Sequence, residues 1–458
     1  MKQHLKRLFL VFVILFLIPI GYAAIYFPPI MAGMTAKITC SCVFVMNRSV
    51  ESVREKELQV FPGLSLTRIE VGSDSVIAQL LWSKGKAIYR KGLGCTLIAE
   101  RSEEEIRNQQ VILPKLPALD QDPIAWPQGN KLANDRPLNV DFSRINTILD
   151  DAFVEDPEKP LNTLAIVVVY NGQIVGERYA KGFSSTSRFM GWSMAKSITN
   201  ALIGILVGDG KLNVMDSAPV AEWQQDDRKS IKLENLLQAT SGLSWDERYF
   251  DPRGVFHQMF TFSDDKGGFA AKQKLKNLPG TVFQYSSGTT NILAKIIREK
   301  VGDAAYFKFP HERLFYKIGM NGVVLEPDAS GTFVGSSYAF ATARDWARFG
   351  LLYLNDGSWL GKRILPEGWV KYSTTPSSVV PLGQYGAHWW LNAGEKNDQS
   401  RRRYPSLPPD AFWAAGFEEQ YLMVIPSKHL VVVRLGVSHR KAPFEAMVNS
   451  IIKALPEE

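Results

Sequence analysis

The sequence predicts an α/β (α+β) fold: an antiparallel sheet flanked by helices, with an inserted helical region, preceded by a membrane span and a small accessory region. Three observations predict it. A strand, Asn-Gly turn, strand pattern runs from Leu164 to Arg178, a second hairpin pattern lies near the C-terminus, and the stretch between reads mostly as helices. Strands at both ends with helices between fit one sheet backed by the terminal helices.

The chain opens with Lys2, Lys6 and Arg7; no charged residue then occurs before Lys37, and residues 8–27 are almost wholly apolar. A run of that length can span a bilayer, and basic residues ahead of it keep the N-terminus cytoplasmic. Residues 1–36 are therefore expected to be a membrane anchor or signal segment, with the rest on the periplasmic or extracytoplasmic side, at the inner membrane if the source is bacterial. The small pair Ala23-Ala24 leaves open the alternative of a cleaved signal and a secreted protein.

Residues 37–113 mix short β-like runs, such as Val76 to Trp82, with charged patches and are expected to form the accessory region. The three cysteines, Cys40, Cys42 and Cys95, all fall on the exported side, so a disulfide from Cys95 to Cys40 or Cys42 is expected. Residues 114–141 carry Pro114, Pro117, Pro123, Pro127 and Pro137 and read as an extended connector. Residues 142–458 form the main domain. Its opening hairpin, helical patterns at Asn291 to Val301 and Thr342 to Leu354, and a closing hairpin of Tyr421 to Ile425 and Leu430 to Leu435 turning at Pro426-Ser427 follow in order.

The net charge of +7 is mild for 458 residues, and part of it lies in the first residues and in Arg401-Arg402-Arg403. Without a basic stripe or aromatic-interleaved basic motifs, nucleic acid is not an expected partner. The Arg run sits beside Pro405, Pro408 and Pro409 and reads as an exposed loop. The six histidines are scattered, none with ligand spacing to a cysteine, so no metal or other cofactor is expected.

Chemistry enters at Ser193-Met194-Ala195-Lys196. In a helix a hydroxyl and an amine three residues apart share one face and can form a nucleophile and its base. The same spacing occurs at Ser83/Lys86, Ser263/Lys266, Ser438/Lys441 and Ser450/Lys453, so context has to choose. Only Ser193 opens an apolar, helix-length run that ends in glycines, at Gly208 and Gly210. Its position offers unpaired N–H groups to an oxyanion, and burial favours the neutral amine of Lys196. Tyr285 lies in the Pro/Gly-bounded loop Pro279 to Gly288 and can serve as a second acid/base. Tyr353-Leu354-Asn355 repeats the Tyr-x-Asn spelling, but there the tyrosine ends an apolar helix and reads as core, with Asn-Asp-Gly as a C-terminal turn.

These stretches, together with Leu236 to Leu243, Ala341 to Gly350 and Phe412 to Phe417, resemble the class C β-lactamase-related serine hydrolases, over roughly residues 145–455. That superfamily includes penicillin-binding carboxypeptidases, esterases and 6-aminohexanoate-dimer hydrolases. The resemblance implies a β-lactamase/transpeptidase-like fold, an acyl-enzyme on Ser193, Lys196 as its proton partner and Tyr285 as the second acid/base. It places Ser287 as a polar substrate contact and the N–H groups of Ser193 and Phe417 as the oxyanion donors. Trp245, Glu247, Tyr249 and His388 are candidates to line the cleft. The chain departs from the β-lactamases at the third box, where Ala414-Ala415-Gly416 replaces Lys-Thr-Gly and removes the cation that grips a β-lactam carboxylate. The glycine remains, so backbone can still approach substrate.

The expected activity is therefore an exported serine hydrolase cleaving a small-molecule or peptide-like ester or amide. The alternatives are a penicillin-binding D-Ala-D-Ala peptidase or β-lactamase, and a non-catalytic envelope binding protein. An α/β-hydrolase is disfavoured because Gly191 to Ala195 lacks the second glycine of Gly-x-Ser-x-Gly.

Overall fold

The computed structural model describes residues 18–458 apart from 62, 119, 134–136, 159, 250, 396–397 and 457–458. The chain forms two compact units. One comprises the N-terminal residues to Arg107 together with Asp246–Asp264, and the other Asn108–Trp245 together with Asp265–Glu458.

The first unit is built on helix α1 (Ile18–Phe44). Strands β1 (Arg68–Val71), β2 (Ser75–Leu80), β3 (Ser83–Arg90) and β4 (Gly94–Leu97) form an antiparallel meander in that order. Ala36 and Cys40, one helical turn apart, share a core with Val76, Ala78, Ala87 and Cys95. Gly85 of β3 permits close approach to α1, since a Cβ there would stand 2.5 Å from the Ala32 carbonyl oxygen. Because α1 runs unbroken through Pro28 and Pro29 and is largely buried from Ile30 onward, the accessory unit claims part of the segment expected as anchor. Residues 8–17 of the expected span lie outside the described residues. Among the described residues no helix is long and apolar enough to cross a membrane.

The segment 246–264 joins this unit through buried Asp264, whose carboxylate accepts the backbone N–H groups of Glu100 and Arg101 at 3.0 and 2.6 Å. Thr261 also lies where a Cβ on Gly33 would stand, 2.9 Å away. The second unit begins earlier than expected, because the proline-rich connector docks on it. Arg348 donates to the carbonyls of Pro127 and Gly129, and the Trp126 indole donates to Gly172.

In the second unit, α2 (Phe142–Asp151) precedes the hairpin β5 (Thr163–Tyr170) and β6 (Gln173–Tyr179). Asn171 and Gly172 at its tip have φ of 47° and 77°, the left-handed pair that a two-residue hairpin turn requires. Then come β7 (Arg188–Met190), α3 (Ala195–Gly208), α4 (Ser287–Val301), β8 (Val324–Leu325), β9 (Ala339–Thr342) and α5 (Ala343–Leu354). A short ribbon, β10 (Ser358–Trp359) and β11 (Lys362–Arg363), leads to β12 (Trp390–Leu391), β13 (Phe412–Gly416), β14 (Gln420–Ile425), β15 (Leu430–Gly436) and α6 (Phe444–Ile452).

The main sheet is antiparallel in the order β12-β13-β14-β15-β5-β6, so the two ends of the domain meet where β15 pairs with β5, Val432 opposite Val168. Helices cover both faces, which is why β5, β14 and β15 are buried throughout rather than alternating. On one face Ile145 and Leu149 of α2 and Val448 and Ile451 of α6 meet Ile166, Val168, Met423 and Val432. On the other lies α5, started by a capping box between Thr342 and Asp345. Its Gly350 faces the sheet; a Cβ there would stand 2.6 Å from a Val431 methyl. A second sheet, β7-β9-β8, carries the chain into the Ser193 turn.

A disulfide links Cys40 of α1 to Cys95 of β4, while Cys42, on a different face of the helix, stays buried and outside the bond. The link closes a loop with a sequence separation of 55 residues. Its loss is expected to destabilise the first unit by up to about 4 kcal/mol through loop entropy in the unfolded chain. A non-reducing peptide map should recover the Cys40–Cys95 pair, and Cys95→Ser should raise amide exchange across α1 and β4. A Cys42–Cys95 peptide would contradict this pairing.

Candidate active site

Ser193 sits in a 3₁₀ turn, Trp192–Met194, immediately before α3. Gly191 is tied to the second sheet through its N–H, which donates to the Ala339 carbonyl at 2.8 Å. A side chain at 191 has no room, since a Cβ would stand 2.3 Å from the Trp346 ring. The turn leaves Ser193 half-buried at the N-terminus of a fourteen-residue helix buried from Ala195 to Leu206. The positive end of the helix therefore points where Ser193 stands, but the 3₁₀ turn already uses the N–H groups of Met194 and Ala195, which donate to the carbonyls of Gly191 and Trp192.

Lys196 is 2% exposed, and its Nζ donates to Ser193 Oγ at 3.1 Å, to Ser287 Oγ at 3.1 Å and to the Ser336 carbonyl at 3.0 Å. Three segments far apart in the chain thus converge on one amine. The Tyr285 ring centre lies 4.9 Å from the same Nζ. The expected trio of Ser193, Lys196 and Tyr285 is brought together. Ser287 is brought in as well, but it is 2% exposed and turned to Lys196. Sequence reasoning missed Ser336: a backbone carbonyl leaves no mark on side-chain pattern.

Tyr285 is held by aromatic neighbours. Trp390 stacks on it with centroids 5.5 Å apart, and Tyr385 meets it edge-on at 5.9 Å. Its loop is pinned by the Leu236-to-Leu243 stretch, since Gln284 and Gly280 donate backbone N–H groups to the carbonyls of Ala239 and Thr240, each at 2.8 Å. Within that stretch Gly242 has φ +74°, and a Cβ there would stand 2.1 Å from the Asn277 carbonyl oxygen. Of the Arg run, Arg401 pairs with Glu395 at 3.1 Å, and Arg403 lies 5.9 Å from the Trp390 ring centre.

The third-box strand, β13, ends against the Ser193 turn. A Cβ on Gly416 would stand 2.2 Å from the Gly191 carbonyl oxygen, so only glycine permits this approach. Phe417, half-buried, meets Trp192 edge-on at 5.7 Å. Ala414 is buried, and none of the three box residues carries a cation.

The remaining candidates separate. Trp245 lies against the start of α4, its ring 2.5 Å from where a Cβ on Gly288 would be. Glu247 and Tyr249 belong instead to the 246–264 segment of the first unit, where Tyr249 packs edge-on against Phe256 at 4.7 Å. Burial, and next the charge of Glu247, push the Tyr249 phenol pKa well up. His388 does not line a cleft: it is 3% exposed behind α3, with Nδ1 3.0 Å from the Lys196 carbonyl and Nε2 3.2 Å from the Thr290 hydroxyl. A carbonyl only accepts, so Nδ1 carries the proton and Nε2 accepts from Thr290. Tyr353 is core as expected, its hydroxyl donating to Asn200 Oδ1 at 2.6 Å.

The family model described as Beta-lactamase matches residues 149–451. The chain belongs to the β-lactamase family. It is a serine hydrolase of that family and shares the β-lactamase/transpeptidase-like fold. A 6-aminohexanoate-dimer hydrolase of Paenarthrobacter ureafaciens is 24% identical over 299 residues, 60% of this chain and 72% of that protein. Among solved structures, a candidate 6-aminohexanoate-dimer hydrolase from Bacillus anthracis superposes with a TM-score of 0.57 at 24% identity, over 72% of this chain and 90% of that one. A family VIII carboxylesterase does so at 0.52 and 14% identity, over 71% of this chain and 98% of that one. At these identities the two structures establish the fold.

Burial, and next the positive charge of Lys196, push the His388 pKa down to about 3, against the upward pull of its hydrogen bond to the Lys196 carbonyl. With an unfolded value of about 6.5, the neutral ring contributes stability in full above that pH and loses it as pH falls towards the folded value. The melting temperature of His388→Gln should therefore fall less than that of the wild type between about pH 7 and pH 5. Identical slopes would show that His388 titrates as it does in the unfolded chain.

Proposed function

We propose that the protein cleaves a linear amide or ester through an acyl-enzyme on Ser193. The observation that carries this reading is the buried amine of Lys196, in hydrogen-bond reach of Ser193 Oγ with Tyr285 against it. With the Lys196 amine neutral, donating to Ser287 and the Ser336 carbonyl and accepting from the Ser193 hydroxyl, Ser193 Oγ attacks the carbonyl carbon and its proton passes to Lys196 Nζ. The backbone N–H groups of Ser193 and Phe417 hold the tetrahedral oxyanion. As the intermediate collapses, the Tyr285 phenol protonates the departing nitrogen or oxygen, and water then releases the acyl group with the proton moves reversed.

Substrate class follows from what the third box lacks and what surrounds Tyr285. Ala414-Ala415 offers no cation to a β-lactam carboxylate, while half-buried Trp390, stacked on Tyr285, supplies aromatic surface suited to an extended acyl or amine chain. The similarity to a 6-aminohexanoate-dimer hydrolase supports a linear amide. Full-length protein should react with a fluorophosphonate probe and hydrolyse p-nitrophenyl esters or aminoacyl amides, and Ser193→Ala should abolish both. Undiminished labelling or turnover in that variant would refute the assignment.

We also propose that residues 8–27 anchor the protein with its catalytic unit outside the cytoplasm. The uncharged run in the sequence and the Cys40–Cys95 link, suited to an oxidising compartment, support this. Fractionation should recover the protein with membranes and resistant to carbonate wash; recovery in the soluble cytoplasm would reject it.

A further inference from the structure

The two backbone N–H groups proposed to hold the oxyanion belong to segments more than two hundred residues apart in the chain, and a side-chain bond ties those segments together. Trp192, directly before Ser193, has φ +47°. A bulky L-residue in this left-handed region is strained by about 1–2 kcal/mol, so the conformation persists only where its surroundings impose it. Those surroundings come from the turn after β13. The Trp192 indole Nε1 donates to Glu418 Oε2 at 2.9 Å, with Phe417 edge-on at 5.7 Å and Tyr338 tilted at 6.2 Å.

Glu418 is itself fixed. It is 6% exposed and, with Glu419, forms two successive left-handed residues, each at φ 63°, in the turn between β13 and β14. The turn is braced from outside: the Glu418 carbonyl accepts from Ser438 N at 3.2 Å and the Glu419 carbonyl from Arg434 Nη1 at 2.8 Å. The Glu419 carboxylate accepts from the Tyr421 hydroxyl and from Ala442 N, each at 3.0 Å. With Gly416 wedged against the Gly191 carbonyl, the carboxylate of Glu418 and the indole of Trp192 close the second side of a short backbone bracket.

We propose that Glu418 is a positioning residue for acyl transfer: by holding the Trp192 indole it fixes the strained backbone that presents the Ser193 N–H opposite the Phe417 N–H. This inference rests on the Ser193 acyl-enzyme reading. Removing the bond frees Trp192 to relax and moves one oxyanion donor relative to the other, while Lys196 and its hydrogen bonds stay in place. The cost therefore falls on the transition state rather than on substrate binding.

The test is a double-mutant cycle in the full-length protein. Glu418→Leu removes the acceptor; Trp192→Phe keeps an aromatic ring and removes the donor. Each should lower kcat for an activated ester by about 10- to 100-fold, below the loss seen when an oxyanion donor is deleted outright, with KM little changed. Affinity for a boronic acid that forms a tetrahedral adduct on Ser193 should fall by a similar factor. Glu418→Gln, whose amide oxygen can still accept the indole N–H, should retain most activity, and the double variant should be no slower than the worse single one. Boronate affinity and kcat unmoved in Glu418→Leu, equal damage in Glu418→Gln, or losses that multiply in the double variant would each overturn the proposal. Wild-type turnover that survives Ser193→Ala would remove the acyl-enzyme reading as well; Ser193-dependent turnover indifferent to Glu418 would remove this inference alone.

Discussion

A lysine amine in the interior of a protein is tolerated only where polar atoms surround it, and the Lys196 site is organised by that demand. Its bonds to Ser193, Ser287 and the Ser336 carbonyl gather the start of α3, the start of α4 and the loop before β9 into one place. The polar contacts continue along the helix. One turn on, fully buried Asn200 donates to the Ala387 carbonyl and accepts from Tyr353 and Trp369, while the Ser197 hydroxyl donates to the His388 carbonyl. His388 in turn bonds back to the Lys196 carbonyl. A helix that reads as apolar thus carries a polar face wholly inside the protein, and its register can shift little without leaving several of these groups unpaired.

Legibility in the sequence followed the range of the interaction. The Asn-Gly hairpin, the helix behind Ser193 and the false Tyr-x-Asn at Tyr353 are local matters of turn geometry and apolar periodicity, and they could be read directly. Gly416 could be read as a point of close backbone approach, but its partner, the Gly191 carbonyl, could not. Ser336 and Glu418 could not. Each reaches its partner, Lys196 or Trp192, from more than a hundred residues away, one through a carbonyl that any residue supplies and the other through a glutamate in a surface-like Glu-Glu pair. His388 misled for the opposite reason: a histidine in a hydrolase invites a cleft role, whereas here its ring satisfies a helix carbonyl.

The third box differs from Lys-Thr-Gly in what it can offer a substrate. A Lys-Thr-Gly strand offers substrate both side-chain charge and backbone, but Ala414-Ala415-Gly416 offers backbone alone. In the proposed mechanism what remains, the Phe417 N–H beside the Ser193 turn, would serve any tetrahedral carbonyl adduct whatever its substituents. On the proposed reading, recognition would then rest on shape and apolar surface, such as the half-buried Trp390 ring beside Tyr285, instead of on charge. Esterases and linear-amide hydrolases can share such a scaffold for this reason: the common part of their reaction is the oxyanion, and the variable part lies outside it.

The segment 246–264 sets an order on biosynthesis. The N-terminal unit gains Thr261 beside Gly33 and the Asp264 carboxylate at Glu100 and Arg101 only from residues made well over a hundred positions later. As the chain leaves the ribosome, α1 and its four strands must wait in an unfinished state while the first hairpin of the larger unit and the Ser193 helix emerge. The first unit can be complete only once Asp264 has been made and the second only with its C-terminal strands and α6, so a nascent chain cut short before Asp246 would present neither a finished accessory unit nor a finished hydrolase.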